Sequence, residues 1–249
     1  KLAPRDGSVQ LQKITTQMGV LVLAGPKSRA VLQKLTDTDL SNDNFKWLTG
    51  KSINVGYAQA EALRVNFVGE LGWELHHPIE MQNYIFDELI KAGAEFDIKP
   101  FGIRAMDSMR LEKSYRLIPR EMSIEYAALE SGLDRFVKLD KPIDFVGKAA
   151  LLAWQDRGFV NRFVTLEVHD VIDADARGSE GLYKDGELVG RATSGGFGFR
   201  VNKSLALGLV KSDFAEVGTQ LHIEILGQRH RTTVISESAF DPENVALRS

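Results

Sequence analysis

An apolar run from Thr16 to Ala24, closed by Gly25-Pro26, reads as a buried strand. Pro26 suits the first turn of a helix, and Val31, Leu32 and Leu35 then share one helical face. A strand leading directly into a helix is half of a βαβ or ferredoxin-like unit. After a polar loop, alternation from Ile53 to Leu75 predicts about three strands. The last two flank a turn at Val68-Gly69-Glu70-Leu71-Gly72, with the first extended segment beginning at Arg64. Strand side chains alternate, so Trp73 and Glu74 must point to opposite faces.

Helical spacing returns at Met81, Tyr84, Ile85, Leu89 and Ala92, with Gly93 placed to end the helix. A further helix is predicted from about Phe101 to Tyr115, and Arg104, Asp107 and Arg110 on it read as a solvated ion-pair stripe. Leu117 to Leu139 is less periodic and reads as a long excursion, with one or two short strands expected at Phe136 to Leu139. Asp144 can cap a helix running through Lys148, Leu151 and Trp154. Beyond residue 160 the pattern is all strand: Arg162–Val168, Gly181–Tyr183, Glu187–Ala192, Leu205–Lys211, Gln220–Leu226 and His230–Ser236. Asp185-Gly186 and Gly227-Gln228 are hairpin signals. The expectation is an α+β part over residues 1–158 and a small all-β barrel or sandwich over 159–249.

Composition narrows the chemistry. The chain has 249 residues, 43% hydrophobic, enough for more than one core, and a net charge of −3, too balanced to recruit nucleic acid or an anionic membrane. The absence of cysteine excludes disulfides, thiolate metal sites and thiol catalysis, and agrees with a reducing, cytoplasmic-type compartment. No apolar run is long enough to span a bilayer as a helix. The start at Lys1-Leu2-Ala3-Pro4, without methionine, fits a mature fragment, a cloned domain or part of a longer polypeptide.

Most site types fail on spacing. His76 and His77 are adjacent on a strand and diverge, and a turn at Gly227-Gln228 would put His222 opposite Thr233 and not His230. The histidines read as surface or pocket-wall residues. Ser194-Gly195-Gly196-Phe197-Gly198 lacks the lysine and helix of a phosphate loop, so it reads as a turn or bulge where backbone approaches closely. Gly-x-Ser-x-Gly does not occur. What stands out is Glu74, with Phe67, Trp73 and Tyr84 near it in sequence, as a pocket for a flat polar ligand.

Several motifs occur in a familiar order: Val68-Gly69-Glu70-Leu71-Gly72-Trp73-Glu74-Leu75, Met109-Arg110-Leu111-Glu112-Lys113, Leu129-Glu130-Ser131-Gly132-Leu133, Phe136-Val137-Lys138-Leu139-Asp140-Lys141 and Asp144-Phe145-Val146-Gly147-Lys148. With them the chain resembles the folate-binding aminomethyltransferase family of the glycine-cleavage T-protein. Lys141-Pro142-x-Asp144-Phe145 and Thr193-Ser194-Gly195 look most like the C-terminal portion of dimethylglycine and sarcosine dehydrogenases. The resemblance implies ferredoxin-like α/β subdomains followed by a C-terminal β-barrel, arranged around a tetrahydrofolate site.

The resemblance also implies roles. Glu74 falls at the pterin-anchoring glutamate, Leu75 and His76 at lining positions, and Phe67 and Arg135 at positions where the family usually carries Tyr and another aromatic residue. Met106 stands where the T-protein branch has Arg. The family's catalytic aspartate would lie ahead of Lys1, so the N-terminal part of the family fold is expected to be missing and no catalytic residue is assigned. The implied reaction passes a one-carbon unit from a small N-methyl amine to tetrahydrofolate, with FAD held only in an upstream domain or subunit. The compartment would be the mitochondrial matrix in a eukaryote. Two other readings stay open: a flavin-free aminomethyltransferase or folate-dependent demethylase, and a non-catalytic folate-binding or scaffold module.

Overall fold

The computed structural model describes residues 4–249, and Lys1, Leu2 and Ala3 lie outside the described residues. The chain divides into two compact units. The first takes in the chain to Asn66, Glu70–Pro100 and Asn244–Ser249, and the second Phe67–Gly69 and Phe101–Glu243. The division expected at residue 158 therefore falls inside the second unit, between its last long helix and its barrel.

In the first unit, strand β1 (Met18–Ala24) leads into helix α1 (Ser28–Gln33), then β2 (Gly50–Val55), β3 (Ala58–Leu63), β4 (Gly72–Pro78) and helix α2 (Gln82–Gly93). The sheet order is β1-β4-β3-β2 with every pairing antiparallel, so no parallel βαβ crossover forms here. Apolar residues every second position on the strands and every third or fourth on the helices meet on one side of the sheet. Leu23, Ala60, Ala62, Trp73 and Leu75 pack there with Val31 and Leu32 of α1 and Ile85 and Leu89 of α2. Phe45, from the loop after α1, closes the core edge-on against Trp73 at 6.1 Å. Contrary to the buried-strand reading, β1 has only one covered face: Val20 and Val22 point away from the core and are exposed.

Two local expectations change. Arg64 to Phe67 is not a strand; β3 ends at Leu63 and the connection to β4 is an irregular loop. Gly93 is the last residue of α2 at φ −85, and the left-handed stop is Asp97 at φ 59. Glycine is nonetheless needed at 93, because a Cβ there would lie 2.7 Å from Ile98 Cβ.

The second unit begins with α3 (Ile103–Glu112), entered through extended Gly102. The residues after it form turns, with a 3-10 turn at Asp134–Phe136 in place of the expected strand. Helix α4 (Lys148–Arg157) is preceded by left-handed Gly147, while the Asp144 carboxylate accepts from the Phe145 N–H and caps nothing. Strands β5 (Asn161–Val168), β6 (Gly181–Lys184), β7 (Glu187–Gly198), β8 (Lys203–Lys211), β9 (Gln220–Ile225) and β10 (Gln228–Ile235) close into a barrel, in the order β10-β5-β8-β7-β6-β9. Val164, Leu166, Leu182, Ala206, Val210, Leu221 and Ile223 fill its interior. Leu205, Leu207 and Leu209 alternate to the outside of β8 and are also buried, with α3 packed over β7 and β8. A strand buried on both faces loses the polar alternation that would mark it in sequence.

The β9–β10 turn is Leu226-Gly227, both at positive φ, one position earlier than predicted. His222 consequently pairs with Arg231, and His230 with Ile223. The glycine cluster lies within β7, after a register shift between Ala192 and Ser194. A Cβ on Gly195 would come within 2.5 Å of the Ala176 carbonyl oxygen.

Candidate functional site

The loop Arg64–Leu71 and the start of β4 are shaped residue by residue. Gly69 is left-handed at φ 75, a conformation that glycine adopts without steric cost. Gly72 sits opposite Ala24, where a Cβ would meet the Leu23 carbonyl oxygen at 2.5 Å. Trp73 then enters the core with no exposed surface, under the guanidinium groups of Arg29 and Arg64 at 5.8 and 5.9 Å from its ring. Arg64 itself is buried and donates to the Phe45 carbonyl, and burial followed by the Arg29 charge lowers its pKa.

Glu74 points the other way, as strand alternation requires. Its carboxylate lies 3.2 Å from the His76 ring, each side chain about a third exposed. On the same open face the register places Val22 and Leu63 beside Glu74, and Val20 and Glu61 beside His76. A carboxylate held by a histidine among aliphatic side chains can accept two donors from a flat ligand while its surroundings take up the ligand's apolar surface.

The other predicted residues distribute differently. Leu75 is fully buried in the core, so on Glu74's face it offers no side chain. Trp73 and Tyr84 are also away from that face; the Tyr84 hydroxyl accepts from the Tyr57 N–H at the β2–β3 turn and its ring stacks on Tyr57. His77, expected at a surface or a pocket wall, is fully buried, its ring nitrogens facing the Leu75 carbonyl and Gln82 Oε1, each at 2.8 Å.

In the second unit Phe67 stacks on Tyr115, with ring centroids 5.6 Å apart and planes 28° from parallel. Arg135 is exposed on its 3-10 turn, over the Phe136 ring at 4.8 Å, and its charge acts on the Tyr115 hydroxyl. Tyr115 was not singled out by sequence, since a tyrosine just past a helix end carries no periodic signal.

Arg110 corrects the ion-pair stripe. It is fully buried and donates to Asp107 at 2.6 Å, to the Tyr115 carbonyl at 3.1 Å and to Ser194 Oγ at 2.8 Å, and it faces buried Glu121 at 3.6 Å. Glu121 also accepts from Thr193 and Ser194 hydroxyls at 2.6 Å and from the Leu117 N–H at 2.8 Å. Glu112, equally buried, accepts from the Arg200 N–H and its guanidinium, while Arg200 also donates to the Val68 and Met109 carbonyls. Glu130 receives the Ala127 and Asn161 N–H groups. The Arg-Leu-Glu-Lys and Leu-Glu-Ser-Gly motifs thus hold irregular backbone in place. A cleft of about 460 Å³ opens between α3 and β7, past Arg104, Ser108 and the Gly195-Gly196 backbone.

Among the described residues no group of three or more His, Asp or Glu could hold a metal, and no helix is long and apolar enough to cross a membrane.

Comparison with known proteins gives concordant relatives. Residues 1–141 match the family model described as the GCVT N-terminal domain, and residues 161–241 match the glycine cleavage T-protein C-terminal barrel domain. Mouse (Mus musculus) mitochondrial dimethylglycine dehydrogenase is 43% identical over 229 residues, covering 92% of this chain and 26% of the relative. Human mitochondrial sarcosine dehydrogenase is 32% identical over 255 residues, covering 99% and 28%. The aminomethyltransferase of Thermoanaerobacter pseudethanolicus is 32% identical over 234 residues, covering 93% and 62%. The chain therefore spans about a quarter of the dehydrogenases' length and about three fifths of the aminomethyltransferase's. The crystal structure of the glycine cleavage system aminomethyltransferase T from Bartonella henselae shares the fold, with a TM-score of 0.78 at 24% identity over 90% of this chain and 60% of that one. With its N-terminal and barrel regions both matched, this chain belongs to the glycine-cleavage T-protein family.

Proposed function

We propose that this chain is the tetrahydrofolate-binding part of a dimethylglycine or sarcosine dehydrogenase-like enzyme, serving transfer of a one-carbon unit from an N-methyl amine to the folate. The observation that carries the reading is the Glu74–His76 pair on the open face of the first unit's sheet. A pterin edge presents an amino group and an adjacent ring N–H, and an ionised carboxylate accepts both in charge-assisted bonds. Partly exposed Glu74 leaves room for them, and His76 limits the rotamers that a ligand would otherwise have to order. Leu75 supports this arrangement from the core side. Phe67 and Arg135 enter the proposal as further folate contacts through the resemblance, the former as a flat apolar ring and the latter as a cation suited to a carboxylate tail.

In this reading a flavin, held elsewhere in the longer polypeptide or in a partner subunit, supplies oxidation of the methyl group. This chain's share is to hold the folate amine where the one-carbon unit arrives, a proximity effect that favours capture over release to water. The identity with dimethylglycine dehydrogenase favours this branch. In a eukaryote the compartment would be the mitochondrial matrix, as the names of those relatives suggest.

Calorimetric titration with tetrahydrofolate of the wild type and of Glu74→Ala and Glu74→Gln tests the proposal. Loss of hydrogen bonds to a charged acceptor, about 1.5–3 kcal/mol, corresponds to roughly 10- to 150-fold weaker binding. Equal binding by all three proteins would remove Glu74 from the site.

The 32% identity to an aminomethyltransferase, more than half of which the chain covers, supports a second reading as a flavin-free aminomethyltransferase. A flavin absorption spectrum of the full natural polypeptide, copurified with its partners, separates the two.

A further inference from the structure

We infer that Arg29, Asn42 and Arg64 form an oxyanion-binding site within the first unit, in which the backbone carbonyls of Arg248 and Ser249 are exchangeable occupants. The ligand is a small carboxylate or phosphate. The site lies beside Trp73, on the side of the sheet away from Glu74, and is independent of the folate reading.

Two positive charges meet here without a negative one. Arg64 is 2% exposed, yet it donates only to the neutral carbonyls of Phe45, Arg248 and Ser249. Arg29 donates to the carbonyls of Leu40 and Ser249 and to the Asn42 side-chain oxygen. Among the described residues neither guanidinium has a carboxylate partner, and Arg64 Nε is buried with no acceptor. Buried charges are ordinarily paired, and a buried donor left without a partner marks a place where something is missing. The two cations also act against each other, since the Arg29 charge adds to burial in lowering the Arg64 pKa.

The donors converge on two oxygens. The Ser249 carbonyl accepts from Arg29 Nη2 at 2.9 Å and Arg64 Nη2 at 3.2 Å, and the Arg248 carbonyl from Asn42 Nδ2 at 3.1 Å and Arg64 Nη2 at 3.3 Å. Two oxygens with two donors each suit a carboxylate or phosphate, whose charge-assisted bonds are roughly twice as strong as those to a neutral carbonyl. The present occupants are lightly held. Helix α5 (Val245–Arg248) is a single turn, too short to be stable by itself. Leu247 is its one buried side chain, while Val245 is exposed and Arg248 rests over the Trp47 ring at 4.9 Å. An oxyanion brings the counter-charge that this segment lacks.

The test is calorimetric titration of inorganic phosphate, and separately of acetate, into the wild type, Leu247→Ser and Leu247→Ser/Arg29→Gln at constant ionic strength. Leu247→Ser removes the one buried anchor of α5 and frees the two oxygen positions. The expected result is that at least one anion binds Leu247→Ser about tenfold more tightly than the wild type, and that adding Arg29→Gln abolishes the gain. Which anion binds identifies the ligand as phosphate or carboxylate. Equal affinity of Leu247→Ser and wild type for both anions, or a gain that survives Arg29→Gln, overturns the inference. If Leu247→Ser does not fold, amide hydrogen exchange of the wild type decides: phosphate or acetate at constant ionic strength should speed exchange of residues 245–248 as the segment is displaced, and exchange unchanged by either anion overturns the inference.

Discussion

Arg110 and Glu121 face each other at 3.6 Å with neither side chain exposed, and each is also bonded to Ser194. A buried pair of this kind adds little over an apolar equivalent, yet removing one partner strands the other charge. Arg110→Met is expected to lower unfolding stability by about 3–5 kcal/mol, and adding Glu121→Gln should recover part of the loss. Urea denaturation of the single and double variants checks this. A double variant no better than the single would mean that the residues are not energetically coupled.

Trp73 and Glu74 are chain neighbours with opposite surroundings, and substitution should separate them. Trp73→Ala removes a fully buried ring and is expected to cost about 3–5 kcal/mol. Glu74→Ala, on a partly exposed face, should stay within about 0.5 kcal/mol while weakening folate binding. Thermal unfolding and titration measured on the same preparations give both readouts. Equal destabilisation would contradict the assignment of faces.

The Gly195-Gly196 pair makes a second contrast. A methyl group on Gly195 would sit 2.5 Å from backbone of Ala176, which cannot move aside cheaply, and Gly195→Ala should cost about 1–3 kcal/mol. At Gly196 the nearest atom is Leu111 Cδ1 at 3.3 Å, the end of a side chain that can give, so Gly196→Ala should be nearly neutral. Denaturant midpoints of the two variants settle the ranking.

Tyr115 also sets a direction for stability against pH. Burial, partly opposed by Arg135, raises its pKa above the ordinary tyrosine value of about 10. The unfolded chain therefore gives up this proton first, so stability is fully present below about pH 10 and declines as pH rises through the folded value. Tyr115→Phe lacks this linkage and should lose less stability between about pH 9 and about pH 11. Urea midpoints across that range with identical slopes for both proteins would show that the hydroxyl is not shielded.

Much of this protein is local enough to be read from the chain. Val31, Leu32, Ile85 and Leu89 announce their helices by spacing, and alternation separates Trp73 from Glu74 onto opposite faces. The strands of the barrel are legible as apolar stretches between turn residues, to within a few positions. The ordered motifs carry the family itself.

Other features depend on what folding brings together. Leu75 lies in the core and Arg110 inside a polar network because sheet register and helix packing decide which side chains meet solvent, and a three-residue charge spacing looks the same in either setting. Glycines at 72, 93 and 195 answer to Leu23, Ile98 and Ala176, atoms as much as 49 residues away in sequence. Tyr115 and Phe67 stack only because folding brings two segments distant in sequence together. Local propensity records how a segment prefers to fold, whereas burial and partnership depend on long-range contacts that no short window of sequence contains.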